Sequence, residues 1–297
     1  MDRSTPEKKL TLLAVLAHPD DESFGMGGTL ALYARREVDV HLVCATRGEV
    51  GDVEPERLKG FESLADLREH ELRCAAKKLG LAGVHFLGYR DSGMPGSPDN
   101  KHPKALAAAP LDEVAANVAC YIRMLRPQVV ITFDPIGGYR HPDHIAIHEA
   151  TVKAFHHAGD PEIFGETDAL DDYPPYQPEK LYFHTIPRGL LRWAVRLMPL
   201  FGEDPRRFGQ NEDVDLLSLS SESFPIHARI NYSPVKALKD DASACHASQG
   251  GGIMLSKGPL GWAYRLTPAV DTYMRAYPPA SPGLRERDLF AGVNGAS

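Results

Sequence analysis

Cysteine is scarce in this chain: Cys44, Cys74, Cys120 and Cys245 are the only four in 297 residues. They form no CxxC pair and are too few and too dispersed for a disulfide framework or a cysteine zinc site. Three lie in apolar stretches, where a free cysteine is usually a small core residue, and such sparing use fits a reducing cytoplasm. Long apolar runs are missing too, none approaching the roughly 18 residues that cross a bilayer. Leu10 to Ala17, which follows Lys8-Lys9, is near the lower limit for a signal segment and has no A-x-A site before His18, so it reads as a strand. Positive charge is not in excess. Lys+Arg number 33 against 40 Asp+Glu, a net charge of −7 with histidine neutral, and that field repels a phosphate backbone. Internal repeats and low-complexity tracts are absent as well.

What is present belongs to a soluble folded protein. Hydrophobic residues at 43% and charged residues at 25% are ordinary globular values, and the length suits one large α/β domain. Continuous apolar runs at Leu10 to Ala17, Val38 to Ala45, Val84 to Leu87 and Gln128 to Phe133 alternate with helical patterns at Phe24 to Arg36, Arg57 to Leu79 and Leu111 to Leu125. That alternation predicts an α/β fold, a Rossmann-like doubly wound and mostly parallel sheet with helices on both faces. Its active site belongs at the carboxyl ends of the strands. The core is expected over about 9–160, with a C-terminal elaboration over about 161–297 in which a strand at Lys180 to Ile186 and a helix at Ser233 to His246 stand out. The tail from Tyr277 is expected to be irregular.

Two polar clusters follow predicted strands. In His18-Pro19-Asp20-Asp21-Glu22 a turn brings residues three apart together, so that His18 and Asp21 can share a metal while Asp20 points elsewhere; imidazole with carboxylate is a common zinc pairing. In Tyr139-Arg140-His141-Pro142-Asp143-His144 a proline near the first position opens a helix, and either histidine can complete a His/Asp/His site with a coordination position left for water. Each cluster alone could be a capped loop or an exposed helix start. Together they converge where this architecture puts ligands.

The motifs AHPDDE (17–22), TRGE (46–49), RxxE (68–71), FLGYRD (86–91), GGYRHPDH (137–144) and HASQ (246–249) resemble the LmbE-like (PIG-L) zinc-dependent de-N-acetylases of N-acetylglucosaminyl compounds. Tyr139, two residues before the second motif, is similar to the branch that serves mycothiol and bacillithiol synthesis. The resemblance implies one zinc per chain, or another divalent metal such as Fe2+, held by His18, Asp21 and His144. Asp20 would be the general base, taking a proton from the attacking water and returning it to the leaving amine. His141, as imidazolium, would stabilise the oxyanion, with Asp143 holding it oriented and charged, and Tyr139 would polarise the carbonyl. Arg68 and Asp91 match positions that hold sugar hydroxyls. Arg68 could instead pair with Glu69 or Glu71, and Asp91 could simply form the turn before Gly93.

Other features carry less chemistry. Gly25-Met26-Gly27-Gly28 lacks the phosphate-loop lysine and reads as close helix packing. Ser92 to Pro110 is a loop that would shape substrate access. Arg140 faces the presumed entrance and could meet an anionic substrate group. Leu190 to Phe201 reads as a core, lid or subunit-contact helix, and His246 as lying near the site without a definite role. The expected function is removal of acetyl from a small amino-sugar compound by a cytoplasmic amidohydrolase, with homo-oligomers allowed and no nucleic acid or membrane span. A metal-dependent phosphoesterase bridging two ions through Asp20 and Asp21, and a non-catalytic sugar or metal binder, are the alternatives.

Overall fold

Every residue of strand β1 (Thr11–Leu16) is buried, as a continuous apolar run is when helices cover both faces of a sheet. β1 pairs in parallel with β2 (Asp39–Thr46) on one side and β4 (Val129–Phe133) on the other. The computed structural model describes residues 9–164, 172–186, 195, 196, 198–201, 204–207, 215–252 and 268–294. Within these, β3 (Gly83–Tyr89) extends the sheet beyond β2, and β5 (Lys180–Thr185), β7 (Val270–Tyr277) and β6 (Ala228–Asn231) extend it beyond β4. The order is β3-β2-β1-β4-β5-β7-β6. β1 to β5 are parallel, and β7 runs antiparallel to both neighbours. The strand order reverses between β1 and β4, so a crevice opens at their carboxyl ends.

The described helices include α1 (Gly27–Arg35), α2 (Leu64–Leu79), α3 (Leu111–Leu125), α4 (Pro142–His157), α5 (Leu216–Ser221) and α6 (Lys236–Cys245). The helix expected from Phe24 starts instead with a π-helical turn over Glu22–Met26, a form that often marks functional sites. At Gly28 a Cβ would come within 2.1 Å of the Tyr232 ring, which accounts for the glycines as close packing. The helix expected from Arg57 begins only at Leu64, because Ser63 accepts the Asp66 N–H and caps it there; Gly80, with φ of 77°, ends it.

β6 and β7 lie where the sequence pattern weakened. β7 carries a buried Asp271 whose charge is met inside the protein: Oδ2 accepts Thr29 N–H and Oγ1–H at 2.8 Å each, and Lys239 Nζ lies 3.2 Å from Oδ1. A polar residue in a buried strand is tolerated when it is paired in this way. The cysteine expectation is corrected: Cys74 on α2 and Cys245 at the end of α6 form a disulfide with a Cα–Cα distance of 5.9 Å. Packing of α2 on α6 brings together residues 171 apart in the chain, which spacing alone does not reveal. Cys44 is free and buried, as expected. Most of Leu190 to Phe201 lies outside the described residues. No described helix is long and apolar enough to cross a membrane.

Candidate active site

The chain leaves β1 at Leu16 and turns at His18, whose backbone N–H donates to Asp21 Oδ2 at 2.7 Å. This bond folds the segment so that both side chains face one point. The chain leaves β4 at Phe133 and turns through Asp134, whose Oδ1 accepts the N–H groups of Ile136 (3.2 Å) and Gly138 (2.8 Å). Gly137 has φ of 64°, and a Cβ there would sit 2.7 Å from His144 Cβ, so only glycine suits this corner. Its carbonyl lies 3.2 Å from His144 Nδ1. Nδ1 therefore carries the proton and Nε2 faces the crevice as a lone pair. The Phe133 ring, stacked on His144 at 3.9 Å, fixes the imidazole plane.

Donor atoms of three residues meet here. His18 Nδ1 is 3.2 Å from His144 Nε2 and 3.6 Å from Asp21 Oδ2, and His144 Nε2 is 3.3 Å from Asp21 Oδ1. The other face of His18 is held by carboxylates, with Nε2 3.1 Å from Asp143 Oδ2 and 3.5 Å from Asp91 Oδ1. Burial disfavours a charged His18, yet Asp143, Asp21 and Asp91 together raise its pKa well above the usual value. Burial would likewise raise Asp21, but His144 and His18 hold it well below the carboxylate range. The arrangement calls for a cation among these groups, and a metal ion is what such a donor set accommodates. Ligand atoms of His141 also come within 4.8 Å of those of His18 and His144, as they do of those of His18, Asp91 and Asp143.

Asp143 departs from its expected part. Its carboxylate is fully buried, accepts the Ser92 N–H at 2.9 Å and the Ser92 hydroxyl, and faces His18 rather than His141. What Asp143 gives His141 is its backbone N–H, donated to Nδ1 at 3.2 Å as the cap of α4. Nδ1 is thus an acceptor. Burial, with His18 and His144 close by, pushes the His141 pKa down to about 2, and this, with the accepting Nδ1, favours a neutral imidazole with its proton on Nε2. Neither observation favours the imidazolium expected from the resemblance.

Asp20 adopts φ of 120°, a conformation costing an L residue about 1–3 kcal/mol that surroundings must over-determine. Arg68 Nη2 lies 3.1 Å from Asp20 Oδ2 and donates to Pro19 O at 2.7 Å, while Nη1 donates to Gly48 O at 3.1 Å. Burial raises the Asp20 carboxyl to about 6 even though Arg68 opposes the rise, which suits a base working near neutrality. Neither glutamate considered for Arg68 takes it: Glu69 pairs with Arg47 and Arg73, and Glu71 binds Ser248 N and Oγ.

Asp91 is both turn former and wall. Its Oδ1 accepts Gly93 N–H at 2.8 Å, and although burial would raise it, His18 and that N–H hold it low. A cleft of about 460 Å³ is lined by His18, Asp20, Arg68, Asp91, Tyr139 and His141, together with Met94, Ser97 and Gln249. The loop from Ser92 therefore does contribute to the cleft. Tyr139, still 39% exposed, stands edge-on to His144 at 5.0 Å, and burial raises its hydroxyl pKa. Arg140 is not brought in; its Nη2 lies 3.3 Å from Glu222 Oε1 on the surface. Sequence reasoning gave Glu22 no part although it sits inside a quoted motif, offered Glu71 only as a partner for Arg68, and saw Ser92 only as the start of a loop.

The family model of the GlcNAc-PI de-N-acetylases, PIG-L, matches residues 13–155. The chain is 39% identical over 247 residues to a 1D-myo-inositol 2-acetamido-2-deoxy-alpha-D-glucopyranoside deacetylase of Thermobifida fusca, covering 80% of this chain and 82% of that one. It belongs to the PIG-L family. The deacetylase of the same name from Acidothermus cellulolyticus is 37% identical, with 96% of this chain and 95% of that one covered. Among solved structures, the N,N'-diacetylchitobiose deacetylase of Pyrococcus horikoshii superposes with a TM-score of 0.61 at 20% identity, over 93% of this chain and 87% of that one. At that identity the likeness of this PIG-L member extends to the fold, the mostly parallel α/β sheet expected from the sequence.

Proposed function

We propose that this PIG-L protein is a zinc-dependent amidohydrolase that removes acetyl from an N-acetylglucosaminyl small molecule, with the inositol glycoside named for its relatives as first candidate. The observation that carries the reading is the grouping of His18 Nδ1, His144 Nε2 and the two Asp21 oxygens, with Nδ1 3.2 Å from Nε2, Nε2 3.3 Å from Oδ1 and Nδ1 3.6 Å from Oδ2, beside Asp20. A tetrahedral zinc with bonds of about 2.0–2.1 Å has ligand–ligand edges of about 3.3–3.4 Å, so the residues fit the ion. Bound there, zinc would act as a Lewis acid toward the acetamide carbonyl and make water a better nucleophile.

The protein's own groups do the rest. Asp20, held by Arg68, takes the proton of the attacking water and passes it to the departing amine, a task matched to a carboxyl near pH 6. His141 Nε2–H donates to the carbonyl oxygen as negative charge grows there, and the bond from Asp143 N–H keeps that proton on Nε2. Tyr139, at the rim of the cleft, adds a hydroxyl donor. Asp143 and Asp91 brace His18 so that Nδ1 stays aimed at the metal. Arg68 is read here as a holder of Asp20 and Asp91 as a wall that can also accept from a sugar hydroxyl. The phosphoesterase alternative loses support, since Asp20 Oδ2 faces Arg68 rather than a second ion.

The test is amine release from N-acetylglucosamine, its inositol and malate glycosides and chitobiose, by metal-free protein with and without one equivalent of zinc. Zinc-dependent release from the inositol glycoside supports the full reading. Release of phosphate from phosphoesters, without amine release from any sugar, sinks it.

A further inference from the structure

We propose that His246 is a positioning residue for Asp20, acting through Glu22. The proposal rests on the reading of Asp20 as the base. Glu22 and His246 are both 0% exposed, and neither lines the cleft. His246 Nε2 lies 2.7 Å from Glu22 Oε1, an oxygen that also accepts the Ser23 hydroxyl at 2.5 Å. The second oxygen, Oε2, accepts the backbone N–H of Asp20 at 3.0 Å. Glu22 thus joins a residue 224 positions away in the chain to the backbone of the base.

The Asp20 backbone needs such a hold. Its φ of 120° is one that side-chain-bearing residues rarely adopt, and Arg68 restrains only its carboxylate and the preceding carbonyl. The Asp20 carbonyl accepts N–H groups of Ser23 (3.0 Å) and Phe24 (2.9 Å) in the π-helical turn, and the planar peptide on the other side is held at both polar atoms, Pro19 O by Arg68 and Asp20 N–H by Glu22. A buried carboxylate stays in one place only while donors surround it. Among the described residues that hydrogen-bond the Glu22 carboxylate, His246 alone comes from outside the turn. The segment that delivers His246 is itself anchored: Ser248 N and Oγ donate to Glu71 of α2 at 2.8 and 2.6 Å, and the preceding residue, Cys245, is bonded to Cys74. Loss of the His246 donor would free Glu22 to turn, and Asp20 would relax from its unfavourable φ and leave the attack position.

The experiment uses the full-length, zinc-loaded chain with His246→Ala, His246→Gln and Glu22→Gln. Two readouts are taken: the Asp20 amide signal in protein labelled with 15N-aspartate, and kcat and KM for amine release from the inositol glycoside of N-acetylglucosamine, with zinc content measured alongside. His246→Ala and Glu22→Gln should keep one zinc, shift the Asp20 amide proton upfield and lower kcat by about 10²-fold, as a misplacement near 1 Å does, with KM changed less than about threefold. His246→Gln, which places an N–H donor at similar reach, should restore the amide position and most of kcat. An Asp20 amide unmoved in both disruptive variants overturns the proposal. So does wild-type kcat in them, or a kcat loss that His246→Gln leaves unrepaired. Glu22→Gln is nearly isosteric and keeps the test open should His246→Ala fail to fold. If the wild type releases no amine from any sugar, the activity reading falls, and the Asp20 amide alone decides whether His246 holds this backbone.

Discussion

Asp143 Oδ2 lies 3.1 Å from His18 Nε2, and the same carboxylate takes both donors of Ser92. Asp143 therefore braces His18, the imidazole proposed to hold the metal, and it reaches His141 only through a backbone N–H. Asp143→Asn should lower zinc affinity by about 10–100-fold, the usual effect of losing a group that orients a ligand. A competition titration with a chromogenic chelator measures this; unchanged affinity with a large fall in kcat would return Asp143 to the partner of His141 first expected.

On the proposed reading His141 is neutral with its proton on Nε2, so what it would supply is a hydrogen bond rather than a charge. His141→Ala should reduce kcat by about 10²–10³-fold with zinc retained, the range for loss of one oxyanion donor. His141→Gln, with an N–H donor at the corresponding reach, should keep more activity. Equal losses in the two variants would mean that the donor is not what matters.

The pH profile separates His141 from Asp20. With burial and its neighbours holding it down near 2, His141 should contribute no limb between pH 5 and 9. Asp20 must be ionised to accept a proton, so kcat/KM should rise with pH through a value at or below about 6, lower if a bound cation adds its field. Arg68→Lys, which leaves fewer fixed donors beside that carboxylate, should move this limb upward. A limb that stays in place would detach Arg68 from Asp20.

Arg140 and Arg68 should behave oppositely when truncated. Arg140→Ala removes an exposed pair with Glu222, worth about 1 kcal/mol at most, and should leave KM for neutral and anionic sugars alike. Arg68→Ala breaks a buried pair and strips two carbonyls of their donor, a loss of about 3 kcal/mol, and should depress kcat as well as the denaturation midpoint. A change confined to KM would show that Arg68 contacts the sugar and does not hold the base.

The Cys74–Cys245 bond closes a long stretch of chain, and such bonds typically contribute about 2–4 kcal/mol by restricting the unfolded state. Dithiothreitol and Cys74→Ser should lower the urea midpoint to the same extent, with no further effect of the reductant on the variant. A midpoint that ignores both would mean that the two thiols stay unbonded in solution.

By itself the sequence determined the sheet of β1 to β5 and the convergence of two HPD clusters. Apolar runs bury where they occur, and short turns after strands hold local partners such as His18 and Asp21 together whatever the rest of the chain does. The family resemblance added a division of roles, of which the metal triangle is compatible with the geometry found. Tertiary structure decided everything that depends on a contact between distant segments. Asp143 turns to His18 because Ser92, on another loop, fixes its carboxylate; Arg68 reaches Asp20 rather than its helical neighbours because α2 packs its buried face over the turn. His246 arrives from 224 residues away, and Cys245 beside it meets Cys74. A periodicity reports which face of an element is buried, but not which partner waits there, and in this protein those partners set the charge on His141, the brace on His18 and the backbone of Asp20.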